Sequence, residues 1–148
     1  MEHAKLLKII APCGLSCAAC LSMRDGEIET LSRKLRQRLG GFARFAERFM
    51  AMDPAFADYP AFERMLDFFS QAKCDGCRVG GCLHTDCPVH LCVKEKHVDY
   101  CHQCQDFPCG KLDDKPWLKV KWEKNNLRLR EIGIEAYHLE IKDLPRYG

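Results

Sequence analysis

Long hydrophobic runs, strong net charge and internal repeats are all missing from this 148-residue chain. Its first apolar segment, MEHAKLLKIIAP, is broken by Lys8 and stopped by Pro12, so it is too short for a signal peptide or a membrane span. The net charge of +2 lacks the strong basicity of a dedicated nucleic-acid binder. We therefore expect a cytoplasmic protein without a membrane partner.

Common signatures of catalysis are also missing. The sequence contains no glycine-rich phosphate loop, no H-E-x-x-H helix and no serine nucleophile elbow. These absences exclude the enzyme classes that depend on such motifs. The sequence favours a non-catalytic binding or interaction module, whose partner, such as another protein, it does not identify.

Cysteine, by contrast, is abundant, with eleven in the chain. Thiols stay reduced in the cytoplasm, so dense cysteines at short spacings indicate metal binding rather than disulfides, and an odd number cannot pair completely. The first group lies in CGLSCAAC and comprises Cys13, Cys17 and Cys20. The second group comprises Cys74, Cys77, Cys82, Cys87, Cys92, Cys101, Cys104 and Cys109. All eleven are candidate metal ligands.

Apolar spacing between the two groups predicts a mainly α fold, because apolar residues recur every three or four positions. The first stripe comprises Ile28, Leu31, Leu35, Leu39, Phe42, Phe45 and Phe49. The second comprises Phe62, Met65, Leu66 and Phe69. We expect Gly40 and Gly41 to divide the first stripe and Pro60 to lie in the first turn of the second helix. Both stripes are expected to form core rather than a ligand pocket.

The length predicts one small domain over residues 1–148. Its segments are a first cysteine motif at 1–24, helices at 25–72, a cysteine-rich metal-binding lobe at 73–110 and a C-terminal helical segment at 111–148. The lobe is rich in Gly, Pro, Asp and His and poor in large apolar side chains, so burial alone cannot hold it together. We expect an irregular, metal-stapled lobe with zinc-knuckle-like turns.

The C-terminal segment carries its own boundary signals. We expect DDKPWLKVKW to form a loop or a short extended piece. Asn125 or Asn126 is suited to cap a helix, and Gly133 is suited to end it in a left-handed turn. A final short helix then begins at about Glu135.

Two C-x-x-C pairs stand out in the second cysteine group, because a two-residue gap lets one turn present both thiolates to one cation, at about 2.3 Å for zinc. Local ligand loops favour a first site at Cys74, Cys77, Cys82 and Cys87. The second site is then Cys92, Cys101, Cys104 and Cys109, although interleaved groupings stay open. An imidazole could replace a thiolate in either site; the candidates are His84, His90, His97 and His102, each more typical of a neighbouring residue than of a ligand.

Zinc is the metal that this spacing favours. The ferredoxin run C-x2-C-x2-C-x3-C-P is missing, and C-x2-C pairs with longer arms are commoner in zinc sites. We expect about two zinc ions per chain, or three if the first motif holds its own. An iron–sulfur cluster is the alternative cofactor.

CGLSCAAC admits three interpretations. On a helix, its thiols would lie along one stripe and could share a zinc ion whose fourth ligand comes from the second group. The C-x3-C-x2-C spacing is also that of radical S-adenosylmethionine enzymes, but this chain is too short for their barrel. Finally, Cys17 and Cys20 could form a redox pair, although the βαβ context of thioredoxin-like proteins is missing.

Basic residues and tryptophans alternate near the C-terminus, which raises nucleic-acid binding as a weaker hypothesis. The basic residues are Lys111, Lys115, Lys119, Lys121, Lys124, Arg128 and Arg130. Trp117 and Trp122 lie among them, but Asp113, Asp114 and Glu123 dilute the positive charge. A solvated face with both tryptophans in the core is the favoured interpretation.

Five motifs together resemble a prokaryotic cysteine-rich family of unknown function, numbered thirty-seven ninety-five. They are CGLSCAAC, CDGCR, DCPVHLC, VKEKHVDYCHQCQDFPC and NNLRLREIGIEAY, in order along nearly the whole chain. The resemblance implies a small cysteine-rich, zinc-binding fold. It implies no activity, substrate or catalytic residue.

Overall fold

The computed structural model describes residues 2–148, and within them the predicted mainly α fold is confirmed. Its helices are α1 (His3–Ile9), α2 (Glu27–Leu39), α3 (Ala46–Met50), α4 (Tyr59–Phe69), α5 (Val89–Glu95) and α6 (Pro116–Ile141). Short 3-10 helices lie at Phe42–Arg44, Pro54–Asp58, Cys101–Gln103 and Gly110–Leu112. These residues form no β-strand, and an isolated antiparallel bridge joins Ile10 to Ser16. No helix in this range is long and apolar enough to cross a bilayer.

The chain divides into two compact units. The first comprises Met1–Cys20 and Cys74–Gly148, and the second comprises Leu21–Lys73. Both cysteine groups therefore belong to the first unit, and the helices expected between them form the second. The single domain over residues 1–148 stays a prediction.

In the second unit, the helix boundaries follow the sequence signals. α2 ends at Gly40, which adopts a φ of +50°, and α4 begins with Pro60 in its first turn, as expected. Aromatic rings then pack α3 and α4 together with the 3-10 segments. The ring of Phe42 lies 5.1 Å from Phe49 and 4.9 Å from Tyr59. Offset aromatic contacts of this kind contribute about 0.5–1.5 kcal/mol each beyond area burial.

The residues of the first apolar stripe are not all buried. The expectation that this stripe forms core is wrong for α2. Leu31 is 57% exposed and Leu35 is 45% exposed, whereas Glu29 is only 4% exposed. The Glu29 carboxylate accepts a hydrogen bond from the Asp25 N–H at 2.6 Å and pairs with Arg33 at 3.0 Å. Because these partners compensate the buried charge, α2 turns a polar face inward.

The first unit is built around a small apolar core. α1 and α6 meet there through Leu6, Ile10, Tyr100, Leu129 and Tyr137, each at most 3% exposed. Burying a leucine or isoleucine side chain stabilises a fold by about 1.5–3 kcal/mol. This core holds the end of α1, and hence the start of CGLSCAAC, against the C-terminal helix.

α6 begins earlier than expected, so the prediction of a loop for DDKPWLKVKW is wrong from Pro116 onward. Leu118, Trp122 and Asn126 follow one another at four-residue intervals on one buried face. Asn126 therefore lies inside the helix and does not cap it. Gly133 interrupts the helix with φ 78° and ψ 165°, which confirms the predicted left-handed turn there.

Candidate metal centres

All eleven cysteines lie in the first unit. Four of them line one cavity, the four-thiol pocket, and these are Cys92, Cys101, Cys104 and Cys109. We refer to the other seven as the seven-thiol cluster, and these are Cys13, Cys17, Cys20, Cys74, Cys77, Cys82 and Cys87.

The four-thiol pocket is a cavity of about 20 Å³. α5 contributes Cys92, a 3-10 helix begins at Cys101, and the following turns contribute Cys104 and Cys109. Apolar side chains close the pocket, namely Val93, Val98, Phe107 and Trp122. These four cysteines are the same set that local spacing groups into one site.

The indole of Trp122 gives this pocket an unusual polar wall. Trp122 is 1% exposed, and its Nε1 has no hydrogen-bond partner of normal geometry among the described residues. The acceptor that it faces is the Cys101 sulfur. Burial raises the pKa of Cys101 to about 11, although the indole N–H of Trp122 partly lowers it. A buried N–H without an acceptor costs about 1–3 kcal/mol, so a thiolate at Cys101 would stabilise this arrangement.

Positive charge also lies beside the pocket. Lys96 donates from Nζ to Asp106 at 2.8 Å. The hydrogen bond to Asp106 raises the pKa of Lys96, and the charges of Cys104 and Cys92 raise it further. A site of four thiolates would thus have a cation beside it to offset part of its negative charge.

The first cysteine motif is not helical, so the expectation of one helical stripe is wrong. Residues 11–22 form turns, and Gly14 adopts a φ of +81°. A Cβ at Gly14 would lie 2.4 Å from Cβ of Asn125, so only glycine fits. The bridge between Ile10 and Ser16 folds the motif back on itself instead.

CGLSCAAC lies against CDGCR, so the thiols of the seven-thiol cluster come from both groups. Burial raises the pKa of Cys17, and the nearby thiols of Cys20 and Cys74 raise it further. A hydrogen bond from the Cys77 backbone N–H lowers this pKa. Burial also raises the pKa of Cys77 strongly, and Cys13 and Cys17 are the next largest causes. Spacing alone did not place the two groups together.

At several cysteines of the seven-thiol cluster, the backbone N–H of the residue two positions later in the chain donates to the cysteine sulfur. The N–H of Gly76 donates to Cys74 Sγ at 3.4 Å, and the N–H of His84 donates to Cys82 Sγ at 3.4 Å. The same i+2 relation recurs for Leu15 with Cys13 and for Val89 with Cys87. Hydrogen bonds to a sulfur favour its thiolate form, so these turns suit metal ligands. The metal-stapled lobe with zinc-knuckle-like turns stays a prediction.

Arg78 fixes the two groups together. Its guanidinium donates to the carbonyl oxygens of Leu7, Ile10 (2.7 Å) and Asp99 (2.5 Å), and it lies 4.9 Å from the centre of the Tyr100 ring. Two of these acceptors are at the end of α1, where carbonyl groups lack helical partners. Arg78 thereby anchors the turn of Cys77 beside the first cysteine motif.

Arg146 brings a positive charge to the thiols of the first motif. Its Nη1 donates to the Ser16 carbonyl oxygen at 2.5 Å. Burial lowers the pKa of Arg146, but the charges of Cys20, Cys13 and Cys17 outweigh this and raise it. Neither Arg78 nor Arg146 was identified from the sequence, although the arginine that directly follows C-x-x-C was a visible signal.

The four histidines are placed differently from one another. His84 Nδ1 lies 3.4 Å from Asp86, while its Nε2 is buried without a partner among residues 2–148. The backbone N–H of His102 donates to Asn126, and burial lowers the pKa of the His102 ring. His90 and His97 show no comparable feature, although His97 adopts a φ of +53°.

Within residues 2–148, no three or more Cys, His, Asp or Glu side chains form a group that could hold a metal ion. The ligand assignments and the identity of the metal therefore stay predictions. The donors do fit zinc chemically, because they are thiols faced by N–H groups and cations that favour the thiolate form.

Acidic neighbours pair with some of the basic residues of the C-terminal stretch. Lys119 pairs with Asp113 at 2.5 Å, and Lys115 pairs with Asp86 at 3.1 Å. Arg128 likewise forms ion pairs with acidic side chains. The expected core position is confirmed for Trp122, but it is wrong for Trp117, which is 60% exposed. These pairs offset part of the positive charge of the stretch, and nucleic-acid binding stays the weaker hypothesis.

Comparison with known proteins gives one match. A family model described as "Protein of unknown function (DUF3795)" matches residues 9–114. No curated protein matches the chain. No solved structure matches it. The matched range contains both cysteine groups, whereas the motif NNLRLREIGIEAY lies beyond it.

Proposed function

The chain belongs to the DUF3795 family of proteins of unknown function, and we propose from its own residues that it is a non-catalytic zinc-binding module. The four-thiol pocket binds one zinc ion through Cys92, Cys101, Cys104 and Cys109. The seven-thiol cluster binds zinc as well, so that metal organises both halves of the first unit. A reducing, cytoplasmic location is part of this proposal, because it keeps the thiols available to metal.

The observation that carries the proposal is the buried indole N–H at the four-thiol pocket. Four thiols line one small cavity, and the unpartnered Nε1 of Trp122 faces one of them. A zinc-bound thiolate is a better acceptor than a neutral thiol, so metal binding would satisfy this donor. Four-thiolate coordination is the usual form of a closed, structural zinc site.

The role of the metal follows from how little else holds the lobe together. The segment from Cys74 to Cys109 contains one α-helix of seven residues, α5, and its buried apolar residues are few. Structural zinc sites in small peptides bind with about 10–16 kcal/mol of apparent free energy, comparable to the stability of a whole domain. Removing the metal is therefore expected to unfold this segment.

Metal analysis of anaerobically purified protein tests the proposal. We expect colourless protein that contains zinc and lacks acid-labile sulfide, and that loses its dispersed amide resonances in 74–109 when a chelator is added under reductant. Iron with sulfide would instead support the alternative, an iron–sulfur or thiol redox protein that uses Cys13, Cys17 and Cys20. A metal-free chain that keeps a fully ordered 74–109 segment would refute the zinc proposal and the iron–sulfur alternative, and would favour the thiol redox alternative.

Two variants test whether the four-thiol pocket binds the zinc ion. Replacing Cys104 by serine should lower the bound zinc and destabilise the lobe, because a serine hydroxyl is a poor zinc ligand. Trp122→Phe keeps the aromatic packing and removes only the N–H. It should therefore retain zinc but release it faster to a competing chelator, since ligands that lose their supporting hydrogen bonds typically bind metal 10–100-fold more weakly.

A further inference from the structure

A cavity of about 200 Å³ lies within the first unit, apart from the four-thiol pocket. Its walls include residues 14–16 of the first cysteine motif, side chains of α6 and residues 144–146 that follow this helix. The four-thiol pocket measures only about 20 Å³. Since about 10–15 Å³ is enough for one water molecule, the larger cavity has room for a small organic molecule.

Three positively charged side chains line this cavity, and no acidic side chain does. The three are Lys121, Lys124 and Arg146. Elsewhere on α6, Lys119 and Arg128 pair with carboxylates. Among residues 2–148, no carboxylate side chain pairs with any of the three cavity cations. A concave site with positive charge of this kind attracts an anion.

Two of these cations have donors to spare. Lys121 donates from Nζ to the Gly148 carbonyl oxygen at 2.6 Å, whereas the Lys124 ammonium has no hydrogen-bond partner in the described part of the chain. Arg146 uses its Nη1 for the Ser16 carbonyl oxygen at 2.5 Å, which leaves other N–H donors of the guanidinium. These donors form a rigid fork that matches a carboxylate or a phosphate group.

The remaining wall of the cavity is largely aliphatic. Ile141 ends α6, and Leu144 and Pro145 line the cavity beyond it. Leu144 is 57% exposed, so no other part of the described chain covers it fully. Burying one ligand methylene against such side chains strengthens binding about fourfold. Donors and aliphatic surface in one cavity suit a ligand with an anionic group and a short hydrocarbon part.

We propose that this cavity binds a small organic anion. Lys124 and Arg146 hold its carboxylate or phosphate group, and Ile141, Leu144 and Pro145 contact its short aliphatic part. This inference goes beyond the proposed zinc binding and needs none of the proposed metal ligands, because no cysteine is among the described residues that line the cavity.

Two-dimensional amide NMR of the full-length chain, purified under reductant without chelator, tests the site. The probes are butyrate and monobutyl phosphate; acetate and methyl phosphate shorten the hydrocarbon part, and 1-butanol removes the charge. We expect saturable shifts at residues 14–16 and 121–125 with a dissociation constant of about 1 mM or lower for the better probe. The better probe identifies the anionic group. Its shortened analogue should bind at least about tenfold more weakly, and 1-butanol should give no saturable shift.

A matched pair of variants separates the cavity from the overall charge. Lys124→Gln should weaken binding at least about tenfold, because hydrogen bonds to charged groups are among the strongest. Lys5→Gln makes the same change at an exposed position of α1 outside the cavity, and it should bind as tightly as the unmodified chain. Lys124 is exposed, so both variants are expected to fold, and the comparison with 1-butanol in the unmodified chain decides the question independently of them.

Four results would overturn the inference. Binding of 1-butanol as tight as that of the anions would mean an apolar cavity, and equal binding of short and long probes would mean an adventitious ion at the surface only. Equal weakening by Lys124→Gln and Lys5→Gln would mean a response to net charge alone. The fourth is no saturable shift up to about 50 mM, well above the expected dissociation constant. Metal content is measured separately, so none of these results decides the proposed zinc binding.

Discussion

Asn126 is the residue whose loss should affect both candidate metal centres at once. Its side chain is fully buried, with 0% exposure. Its Oδ1 accepts from the backbone N–H of His102 at 3.0 Å, and its Nδ2 donates to the carbonyl oxygens of Pro12 at 3.3 Å and Trp122 at 3.1 Å. Pro12 directly precedes Cys13 and His102 directly follows Cys101, so one amide group joins the backbone of both cysteine sets to α6.

The cost of Asn126→Ala follows from which groups lose a partner. The Trp122 carbonyl lies within α6 and keeps its helical hydrogen bond, and the Pro12 carbonyl still accepts from the Cys101 N–H at 3.4 Å. The His102 N–H loses its partner. A buried group left unsatisfied costs about 1–3 kcal/mol. Alanine returns up to about 0.7 kcal/mol of helix propensity. The expected loss is therefore measurable against the roughly 5–15 kcal/mol that is typical of a domain.

Urea unfolding of the zinc-loaded chain, followed by circular dichroism at fixed free zinc, measures this loss. Asn125→Ala is the matched control, because it makes the same change in side chain at the neighbouring helical position while Asn126 keeps its three hydrogen bonds. Zinc release to a chromophoric chelator should also be faster from both centres in Asn126→Ala. If the two variants unfold within about 0.5 kcal/mol of each other, the bridging role assigned to Asn126 is wrong.

Three further predictions test the surroundings of the thiols. Gly14→Ala should destabilise the chain more than Gly133→Ala in thermal unfolding: both glycines have φ near +80°, which costs about 1–2 kcal/mol for alanine, but only Gly14 also lacks space for a Cβ. Tyr137→Phe should cost about 1–3 kcal/mol in the same assay, because the Tyr137 hydroxyl donates to the buried Gly14 carbonyl oxygen at 2.7 Å. Burial raises the pKa of Cys13 to about 12 and that of Cys101 to about 11, so both thiols are still protonated above pH ~8.5, where exposed thiols ionise. Protons therefore compete with zinc at these two thiols, so the apparent zinc affinity should still rise between pH ~8.5 and pH ~10. A plateau in affinity near pH ~8.5 would contradict the raised pKa values.

Helices with one clearly apolar stripe could be predicted from the sequence, and helices with mixed faces could not. α4 has Pro60 in its first turn and buries Leu66 from the expected stripe. Phe62 and Met65 of the same stripe are 44% and 51% exposed, so the expectation of core is wrong for them. The first turns of α6 were missed because Trp117 and Val120 are exposed on the face opposite Leu118 and Trp122, so apolar residues occur all round and the helical period is hidden. Gly133 was recognisable because a glycine between two periodic segments marks a left-handed turn.

The grouping of the thiols was predictable only where the chain is local. Cys92, Cys101, Cys104 and Cys109 lie within eighteen residues, and their spacing alone suggests one pocket. The seven-thiol cluster depends instead on Arg78, whose hydrogen bond to the Leu7 carbonyl spans 71 positions of sequence. Spacing contains no information about such a contact, since it is decided by which carbonyl groups the end of α1 leaves without partners.

If the seven-thiol cluster binds metal as proposed, that metal would also hold the first unit together across the second. Fifty-three residues lie between Cys20 and Cys74, and they are the whole of the second unit, Leu21–Lys73. Metal that joins thiols on both sides of this insertion closes a long loop, as a disulfide would. For a loop of this length, the chain-entropy relation gives about 4 kcal/mol of stabilisation through the unfolded state, provided that the metal is bound only in the folded chain. Because the cost of closure grows slowly with loop length, the insertion could be longer or shorter at little cost to the centre. Two positions must be kept above all. Arg78 holds the two halves of the cluster together, and only glycine fits at position 14.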